Sequence, residues 1–328
     1  MDEFALLNLI GRSAPFRAAL ALIKTYATCD ATVLIEGETG TGKELAARAI
    51  HYLSRRKDLP FIGLNCGALP DSLIESELFG HLRGAFTDAK ESRAGLVAQA
   101  NGGTLFLDEV EAISPRGQTA LLRFLQDKEY RPIGGAPVKA ANVRILASSN
   151  ADLRDMVQRG SFRIDLLYRL DVLSLHLPPL RDRLGDAMLL AEVFVERLNL
   201  RSGAPVKVLH PDAMPVLDSH SWPGNVRELE NLIQRAFLLS KGPVIDLAEI
   251  GHGNRLDAER PGTEPFSVAK ARAVARFERA YMAALLARTN GNLSQAARVA
   301  RKDRSDIGRL VRKHGLDRSQ FLRRAAGD

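Results

Sequence analysis

The sequence contains little cysteine, and it has neither long apolar runs nor internal repeats. Its two cysteines, Cys29 and Cys66, lie at no spacing typical of a disulfide framework or a metal site, and we expect them to be buried thiols in a reducing cytoplasm. No apolar run approaches the length of a membrane span, and the first residues lack the basic and then apolar pattern of a signal peptide. These absences argue against a membrane protein and against a secreted one.

Charge is distributed unevenly along the chain. The 328 residues are 45% hydrophobic and 26% charged, which is ordinary for a globular protein with two or three domains. The net charge is +7, but residues 267–328 carry +10 and the remainder carries −3. A basic region joined to a slightly acidic body suggests a polyanionic partner for that region, although charge alone does not distinguish nucleic acid from solvent.

Hydrophobic patterning divides the chain into an α/β part and an all-helical part. Short apolar runs predict five strands of a largely parallel sheet, at 32–36, 60–65, 103–108, 143–149 and 172–177. Helical patterns follow at 187–200, 211–220, 225–240, 268–288, 293–300 and 305–314. We therefore expect an α/β domain at 1–180, a helical lid at 181–250, a linker at 251–265 and a small all-α domain at 266–328.

A glycine-rich loop follows the first predicted strand and opens a helix. In this context glycines let backbone N–H groups turn toward phosphate oxygens, and a lysine adds its charge beside the dipole of the helix N-terminus. The predicted nucleotide-binding P-loop consists of Gly37, Glu38, Thr39, Gly40, Thr41, Gly42, Lys43 and Glu44. Glu44 stands where a Ser or Thr usually helps to hold Mg²⁺, so the ion would depend on other ligands. The alternative is a glycine-rich loop that binds nothing.

A second apolar strand ends in two carboxylates. The segment consists of Ala100, Asn101, Gly102, Gly103, Thr104, Leu105, Phe106, Leu107, Asp108 and Glu109. Many buried strands end in solvated acids, but downstream of a P-loop this pattern is typical of the second half of an ATP site. Asp108 would hold Mg²⁺, and Glu109 would orient the attacking water.

Three further groups suit ATP hydrolysis. Ser149 and Asn150, at the end of a predicted strand, would sense the γ-phosphate. Arg163 and Arg169 would act as arginine fingers toward the nucleotide of a neighbouring subunit. Their alternative role is pairing with nearby aspartates at the surface. Arg227, at the start of a lid helix, would contact phosphate, and its alternative role is an ordinary helix-surface charge.

Several strings of residues carry a family resemblance because they occur together in one order. They are GETGTGKE at 37–44, ELFGH at 77–81, GAFT at 84–87, GGTLFLDE at 102–109, FRIDLLYRL at 162–170 and WPGNVREL at 222–229. The chain resembles the AAA+ activators of sigma-54 RNA polymerase, the enhancer-binding proteins, over residues 9–250. The resemblance implies a ring hexamer with each nucleotide between two subunits. It also implies the sigma-54 holoenzyme as the partner on which ATP hydrolysis acts.

The resemblance also implies roles for single residues. Asn65 matches the position whose amide holds the catalytic glutamate, and Ile10 lies in a segment that lines the adenine pocket. The segment that contacts sigma-54 is matched by Gly84, Ala85, Phe86, Thr87, Asp88 and Ala89. Asp88 replaces the usual second glycine and tolerates positive φ less well, so we expect altered loop mobility or partner preference. Without the resemblance, a turn with Phe86 buried would be the simpler interpretation.

The C-terminal helices resemble a Fis-type helix-turn-helix domain. Asn292 is a suitable N-cap for the first helix, and the turn at 299–303 departs from the usual Leu-Gly-Ile-Ser pattern. The residues predicted to contact DNA are Ser294, Gln295, Arg304, Ser305, Arg309, Arg312 and Lys313. The helix at 268–288 would form a dimer through Phe277, Tyr281 and Leu285. The alternative is a basic helical hairpin that docks on the ATPase.

The sequence thus predicts a transcription activator that uses ATP and Mg²⁺, binds upstream DNA and remodels the sigma-54 holoenzyme. A second hypothesis is a DNA-binding regulator that keeps the ATPase fold without acting on sigma-54, and only Asp88 favours it. A general AAA+ remodeller fits the P-loop but does not explain Phe86 and Thr87 or the basic C-terminal region. Because no receiver domain precedes the ATPase, we expect control by a partner protein in trans or the loss of a sensor domain.

Overall fold

The computed structural model divides the chain into two compact units, Met1–Ala248 and Glu249–Asp328. The residues that it describes are 4, 7–85, 89–135, 137–203, 205–211, 213–247, 270, 274, 278, 281–283, 285–286, 288–289 and 291–314. The linker predicted at 251–265 lies outside the described residues. Each unit has a hydrophobic cluster of its own.

A parallel sheet forms the centre of the first unit. The strands of its α/β part are β1 (Val33–Glu36), β2 (Phe61–Asn65), β3 (Gly80–His81), β4 (Arg93–Ala94), β5 (Thr104–Asp108), β6 (Glu129–Tyr130), β7 (Lys139–Ala140), β8 (Arg144–Ser149) and β9 (Leu173–His176). Five of them pair in the order β2-β5-β8-β1-β9, all parallel. The five predicted strands are confirmed to within one residue at each end.

Helices cover both faces of the sheet. They are α1 (Ala14–Ala27), α2 (Lys43–Tyr52), α3 (Asp71–Phe79), α4 (Leu96–Gln99), α5 (Pro115–Asp127), α6 (Leu153–Gln158) and α7 (Ile164–Leu170). Leu105 and Leu107 of β5 belong to one buried cluster, whereas Phe106 between them belongs to the other. Because side chains alternate along a strand, this division shows that the sheet is buried on both sides, which accounts for its continuous apolar strands.

Helix α5 illustrates how the local sequence fixes an element. The side chain of Ser114 accepts a hydrogen bond from the backbone N–H of Gly117 at 3.3 Å, and Pro115 occupies the first helical position. Both features favour a helix start. The helix buries Leu121 and Phe124 against the core.

Three helices and a small parallel pair of strands form the lid. The elements are α8 (Asp186–Ser202), β10 (Val208–Leu209), α9 (Ala213–Ser219), α10 (Asn225–Leu239) and β11 (Val244–Ile245). The three predicted lid helices are therefore confirmed. Helix α10 packs along α8 and buries Leu229 and Ile233. The periodic apolar face of α10 explains this packing.

Two short antiparallel pairs of strands, β3–β4 and β6–β7, lie outside the five-stranded sheet. Each pair is called an excursion. They are joined by backbone hydrogen bonds, since Leu82 N–H donates to Ile133 O at 3.0 Å and Ile133 N–H donates to Gly80 O at 2.8 Å. A displacement of one excursion is therefore transmitted to the other.

The second unit contains α11 (Leu293–Ala300) and α12 (Arg304–Lys313). The predicted cap is present, because Asn292 Oδ1 accepts from the backbone N–H groups of Ser294 and Gln295 at 3.0 and 3.2 Å. Arg301 follows the last residue of α11 as its C-cap, and its φ of 49° lies in the left-handed region. Glycine is the residue that this C-cap position favours. The chain therefore makes the turn with an arginine under strain.

Two expectations from the sequence about the burial of single side chains are wrong. Leu285, predicted at a dimer interface, is buried with Met282 and Ile307 in the unit's own cluster, whereas Tyr281 is 41% exposed and Phe277 lies outside the described residues. Packing against α12 within the chain removes Leu285 from any external face. Cys29 is exposed rather than buried, because it follows the end of α1 at the surface.

In the described part of the chain, no helix combines the length and the apolarity that a membrane span requires.

Replacing Arg301 with glycine is expected to stabilise the second unit. The left-handed conformation costs an ordinary residue about 1 kcal/mol more than glycine, so R301G should increase the free energy of unfolding by up to that amount. Calorimetry of the full chain would measure the change. Arg298→Gly, at a right-handed helical position in the last turn of α11, is the matched control and should destabilise by up to about 1 kcal/mol. A destabilised R301G would contradict this account.

Candidate active site

The carboxyl ends of the central strands meet at one edge of the sheet. Asn65 at the end of β2 lies opposite Asp108 at the end of β5, and Glu36 at the end of β1 lies opposite Ser149 at the end of β8. Parallel sheets bind ligands at this edge. The predicted residues that line a single cavity here are Ile10, Thr39, Gly40, Thr41, Gly42, Lys43, Glu44, Asp108, Glu109, Asn150 and Arg227.

The glycine-rich loop takes a conformation that its sequence permits. Gly42, the residue before α2, has a φ of 101°, a conformation that residues with a Cβ rarely adopt. Thr41 Oγ1 donates to Glu38 O at 2.8 Å and holds the loop from within. The loop therefore delivers the N-terminus of α2, with its unpaired N–H groups, to the cavity.

Lys43 lies at the floor of the cavity and is 7% exposed. Its Nζ donates to Gly37 O at 2.8 Å, to Glu38 O at 3.1 Å and to the side-chain oxygen of Asn150. Burial lowers the pKa of Lys43, and the carboxylates of Asp108, Glu111 and Glu109 partly oppose that change. The ammonium is thus held by acceptors that phosphate oxygens could replace.

Two carboxylates beside Lys43 are fixed by β8 and the residue after it. Ser148 Oγ donates to Asp108 Oδ1, and the backbone N–H of Asn150 donates to Glu111 Oε1 at 3.0 Å. Oε2 of Glu111 is buried and has no hydrogen-bond partner among the described residues. Neither Ser148 nor Glu111 was expected from the sequence.

Ser149 was expected to face the cavity, but its side chain points elsewhere. Its Oγ donates to Ala151 O at 2.8 Å and is used within the turn. Successive side chains of a strand point to opposite faces, so Ser148 and Asn150 reach the site and Ser149 cannot.

Most of the apolar segment before Asp108 also lies away from the cavity. Ala100, Asn101, Gly102 and Gly103 precede β5, at its amino end, where Asn101 Oδ1 accepts from Asn142 N–H. Thr104, Leu105, Phe106 and Leu107 are buried in the sheet. An extended strand rises about 3.3 Å per residue, so only its last residue reaches the edge. Of the ten residues that the sequence assigns to this half of the ATP site, Asp108 and Glu109 line the cavity and the eight before them do not.

Glu109 is held by Asn150 rather than by Asn65. Glu109 has a φ of 56°, and its Oε1 lies 3.4 Å from Asn150 Nδ2. Asn65 Oδ1 instead accepts from Ala68 N–H at 3.0 Å. A Cβ added at Gly67 would overlap Oε2 of Glu109, so this glycine leaves room for the carboxylate. The contact between Asn65 and Glu109 that the resemblance implied is not made in this conformation.

A buried ion pair fixes the opposite end of the cavity. Asp186 of α8 accepts from Arg183 Nε at 2.9 Å and from Ser13 Oγ at 2.8 Å, and Arg183 Nη2 donates to Ile10 O at 2.7 Å. The guanidinium also stacks on Phe16, 3.7 Å from its ring centroid. The segment around Ile10 is thereby attached to the lid.

The lid reaches the P-loop through the start of α10. Asn225 is fully buried, and its Nδ2 donates to Thr39 O at 3.0 Å and to Glu38 Oε2 at 3.1 Å. Arg181 donates to both carboxylate oxygens of Glu38, at 2.6 and 2.8 Å. These bonds, first from Arg181 and then from Asn225, lower the pKa of Glu38 to about 2. Arg227 follows on α10 and lines the cavity.

The carboxylates fit a magnesium ion that is shared with a ligand. Within the described residues, no group of three His, Cys, Asp or Glu side chains could hold a metal by itself. Asp108 and Glu109 nevertheless line the cavity, and Glu111 adds a buried oxygen without a partner. Mg²⁺ is commonly bound by one or two carboxylates together with phosphate oxygens and water.

The predicted arginine fingers lie outside the cavity. Arg163, which precedes α7, and Arg169, which lies within it, are both exposed. Arg163 forms a bidentate ion pair with Asp165 at 2.7 and 3.0 Å. The simpler role as a surface pair therefore describes Arg163 within a single chain. A role toward a neighbouring subunit stays a prediction.

The base of the predicted sigma-54 loop is described, whereas Phe86, Thr87 and Asp88 lie outside the described residues. Gly84 N–H donates to Ala89 O at 2.8 Å and closes the loop, and Ala89 is buried. The glycine has a φ of 80°. One backbone hydrogen bond thus joins the two described ends of the loop.

The predicted DNA contacts all lie at the surface of the second unit. These residues are Ser294, Gln295, Arg304, Ser305, Arg309, Arg312 and Lys313. Two of the charges are paired, since Lys313 Nζ donates to Glu278 Oε2 at 2.7 Å and Arg309 Nη2 donates to Asp306 Oδ1 at 2.8 Å. A role in DNA binding stays a prediction.

Sequence reasoning missed the residues that hold the lid. Asn225 lies inside the string at 222–229, but only Arg227 was singled out there. Its φ of 51° and its burial appear only in the structure. Arg183 and Asp186, three residues apart, resemble an ordinary helix-surface pair, and no signal in the sequence marks them as buried.

Two family descriptions match the chain. Residues 9–176, just over half of it, match the Sigma-54 interaction domain, and residues 181–264 match the AAA+ ATPase lid domain.

Relatives and solved structures agree with these matches. The chain is 41% identical to the regulatory protein LuxO of Vibrio cholerae, over 97% of the chain and 64% of LuxO. It is 42% identical to the transcriptional regulatory protein GlrR of Escherichia coli, over 95% of the chain and 69% of GlrR. The structure of NtrX from Brucella abortus in complex with ADP is similar, with a TM-score of 0.74 and 33% identity over 94% of the chain and 70% of NtrX. The chain thus spans about two thirds of the length of these relatives.

Removing the carboxylate of Asp186 is expected to destabilise the first unit strongly. Breaking a buried ion pair typically costs about 3–5 kcal/mol, because the remaining charge is left unpaired, so D186A should lower the free energy of unfolding by that amount. Urea unfolding followed by the fluorescence of the single, buried Trp222 would report it. Asp155→Ala removes an exposed pair with Arg159 and should cost about 0.5 kcal/mol. Equal losses in the two variants would contradict the assignment.

Proposed function

We propose a function on the premise that this chain belongs to the sigma-54 interaction domain family of AAA+ proteins. The proposed function is ATP hydrolysis that drives remodelling of the sigma-54 RNA polymerase holoenzyme and so activates transcription. The cavity that brings Lys43, Asp108, Glu109 and Arg227 together is the observation that carries it. NtrX, which has also been solved in complex with ATP, supports a nucleotide in this cavity.

Lys43, Asp108 and Glu109 would have different roles in phosphoryl transfer. Lys43 gives up its backbone acceptors for the β- and γ-phosphates, and the N-terminus of α2 adds further N–H donors. Asp108, oriented by Ser148, would hold Mg²⁺, which neutralises phosphate charge when bound. Glu109 orients the attacking water and accepts its proton.

Asn150 is suited to report the state of the γ-phosphate. Its side chain bridges Lys43 and Glu109, and its backbone is fixed by Glu111. A phosphate that displaces it from Lys43 would also release Glu109. The role of Asn65 in holding Glu109 remains a proposal for the nucleotide-bound state.

The loop at 84–89 is the proposed contact with sigma-54. Its base is bonded to the β6–β7 excursion through Leu82 and Ile133, so the two excursions would move together. Phe86 and Thr87 would form the contact surface at the tip.

Assembly and DNA binding complete the proposal. Ile164 and Tyr168 on α7 are 52% and 71% exposed beside Arg163 and Arg169, which suits a face covered by a neighbouring subunit of a hexameric ring. The arginines would then reach that subunit's nucleotide. The exposed cations of α12 would bind upstream DNA as part of a dimer, and a regulatory protein would act in trans.

Glu109→Ala is expected to bind ATP without turning it over. Loss of a general base typically lowers the rate about 10²- to 10⁴-fold, whereas the P-loop contacts remain. Steady-state phosphate release and the binding of a fluorescent ATP analogue would measure the two effects. Glu196→Ala, an exposed lid residue, is the control and should retain turnover. Normal turnover in the Glu109 variant would refute the assigned chemistry.

Phe86→Ala is expected to separate ATP hydrolysis from transcription. The cavity is unchanged, so ATP turnover should persist, whereas open-complex formation on a sigma-54 promoter should be lost because the contact is missing. Asp88→Gly restores the usual loop residue and should retain both activities. Wild-type protein that hydrolyses ATP but opens no sigma-54 promoter would favour a regulator that does not act on sigma-54.

A further inference from the structure

We propose that Asn225 is a positioning residue for ATP hydrolysis. Together with Glu38 and Arg181 it fixes helix α10 on the P-loop, and through that attachment it places Arg227 over the phosphates. These three residues are called the lid latch. The inference rests on the proposed ATPase function and deepens it, because it names how the lid is coupled to the phosphate site.

The amide of Asn225 joins three segments of the chain. Its Nδ2 donates to Thr39 O at 3.0 Å and to Glu38 Oε2 at 3.1 Å, both in the P-loop, and its Oδ1 accepts from Leu180 N–H at 2.8 Å. Leu180 belongs to the turn that precedes the lid, and Asn225 itself begins α10. Both donor hydrogens and the acceptor oxygen are used, and the residue is fully buried.

The ion pair between Arg181 and Glu38 is the weaker part of the latch. Both side chains are more than 40% exposed, and exposed pairs of this kind contribute little to stability. The amide of Asn225 is fully buried and is therefore the contact whose loss should matter most. Without its side-chain oxygen, the buried backbone N–H of Leu180 would be left without an acceptor.

No gap separates the P-loop from α10. The backbone N–H of Val226 donates to Gly40 O at 3.0 Å, and a Cβ added at Gly40 would overlap the carbonyl oxygen of Gly224. The phosphate-binding backbone and the start of the lid helix therefore move as one body while the latch is closed.

Arg227 extends from the helical turn that the latch holds. Its Cβ lies 3.2 Å from the position that a Cβ at Gly40 would occupy, and its side chain lines the cavity. Its charge contributes to lowering the pKa of Lys43, so the two cations face the same space. The latch holds the backbone of Arg227 against the P-loop. Without the latch, a small rotation of α10 would move the guanidinium away from the phosphates of a bound nucleotide.

The backbone of Asn225 allows a clean choice of variants. Its φ of 51° is strained for most residues but not for glycine, so Asn225→Gly removes the amide and relieves the backbone. Asn225→Asp keeps the shape but places carboxylate oxygens against Thr39 O and Glu38. Asn199→Ala is the matched control, because Asn199 also bridges backbone groups, at Lys207, but lies within the lid and away from the cavity.

The test is a double-mutant cycle between Asn225 and Arg227 in the full chain. It measures kcat and the affinity for a fluorescent ATP analogue, with thermal unfolding as the check on folding. A misplacement of about 1 Å can cost about 100-fold in rate, so we expect N225D and N225G to lower kcat about 10- to 100-fold. Affinity should fall about tenfold, the effect of one lost charge-assisted hydrogen bond. N199A should change neither quantity.

Non-additivity decides whether Asn225 acts through Arg227. The double variants N225D/R227A and N225G/R227A are expected to be no worse than R227A alone in kcat and in affinity. Wild-type kcat and affinity in N225D and N225G, or losses that multiply in the double variants, would overturn the proposal. If the wild type binds ATP without hydrolysing it, the proposed function fails, whereas the affinity cycle still decides the latch. A wild type that binds no ATP overturns both.

Discussion

The residue-by-residue pairing of the parallel strands is the constraint on which the site depends. It places Asn65 beside Asp108 and Glu36 beside Ser149, so that the carboxyl ends of four strands end at one edge. Strands β5 and β8 are buried on both faces of the sheet. If either strand shifted by one residue along its neighbour, each of its side chains would move to the opposite face and into the other hydrophobic cluster. The spacing between the P-loop and the carboxylates is therefore set by the core of the domain.

Charge balance explains why the cavity suits a nucleotide together with a cation. Lys43 and Arg227 face the three carboxylates of Asp108, Glu109 and Glu111. A triphosphate alone would add negative charge to a site that is already acidic, whereas a divalent ion offsets both the phosphates and the carboxylates. The burial that lowers the pKa of Lys43 also makes its ammonium interact strongly with any phosphate that enters.

The lid is attached at both ends of the cavity by different kinds of interaction. Near Ile10 the attachment is the buried ion pair of Arg183 and Asp186, which fixes the N-terminal segment to α8. At the phosphate end it is the amide of Asn225, which holds α10 on Thr39. A ligand that fills the cavity therefore contacts elements of both parts of the domain, and movement of the lid would change both ends of the site.

The sequence by itself determined the strands, the lid helices, the P-loop and the pair Asp108–Glu109, because each is a contiguous pattern whose meaning lies in neighbouring residues. The tertiary structure alone decided which side chains face the cavity and what holds the lid. Ser148 rather than Ser149 reaches Asp108 because of the pleat of β8 in the folded sheet. Asn225 and Glu38 are 187 residues apart, and no local pattern records a hydrogen bond across that distance. Such contacts exist only once packing has brought the segments together, which is why they escape a reading of the chain.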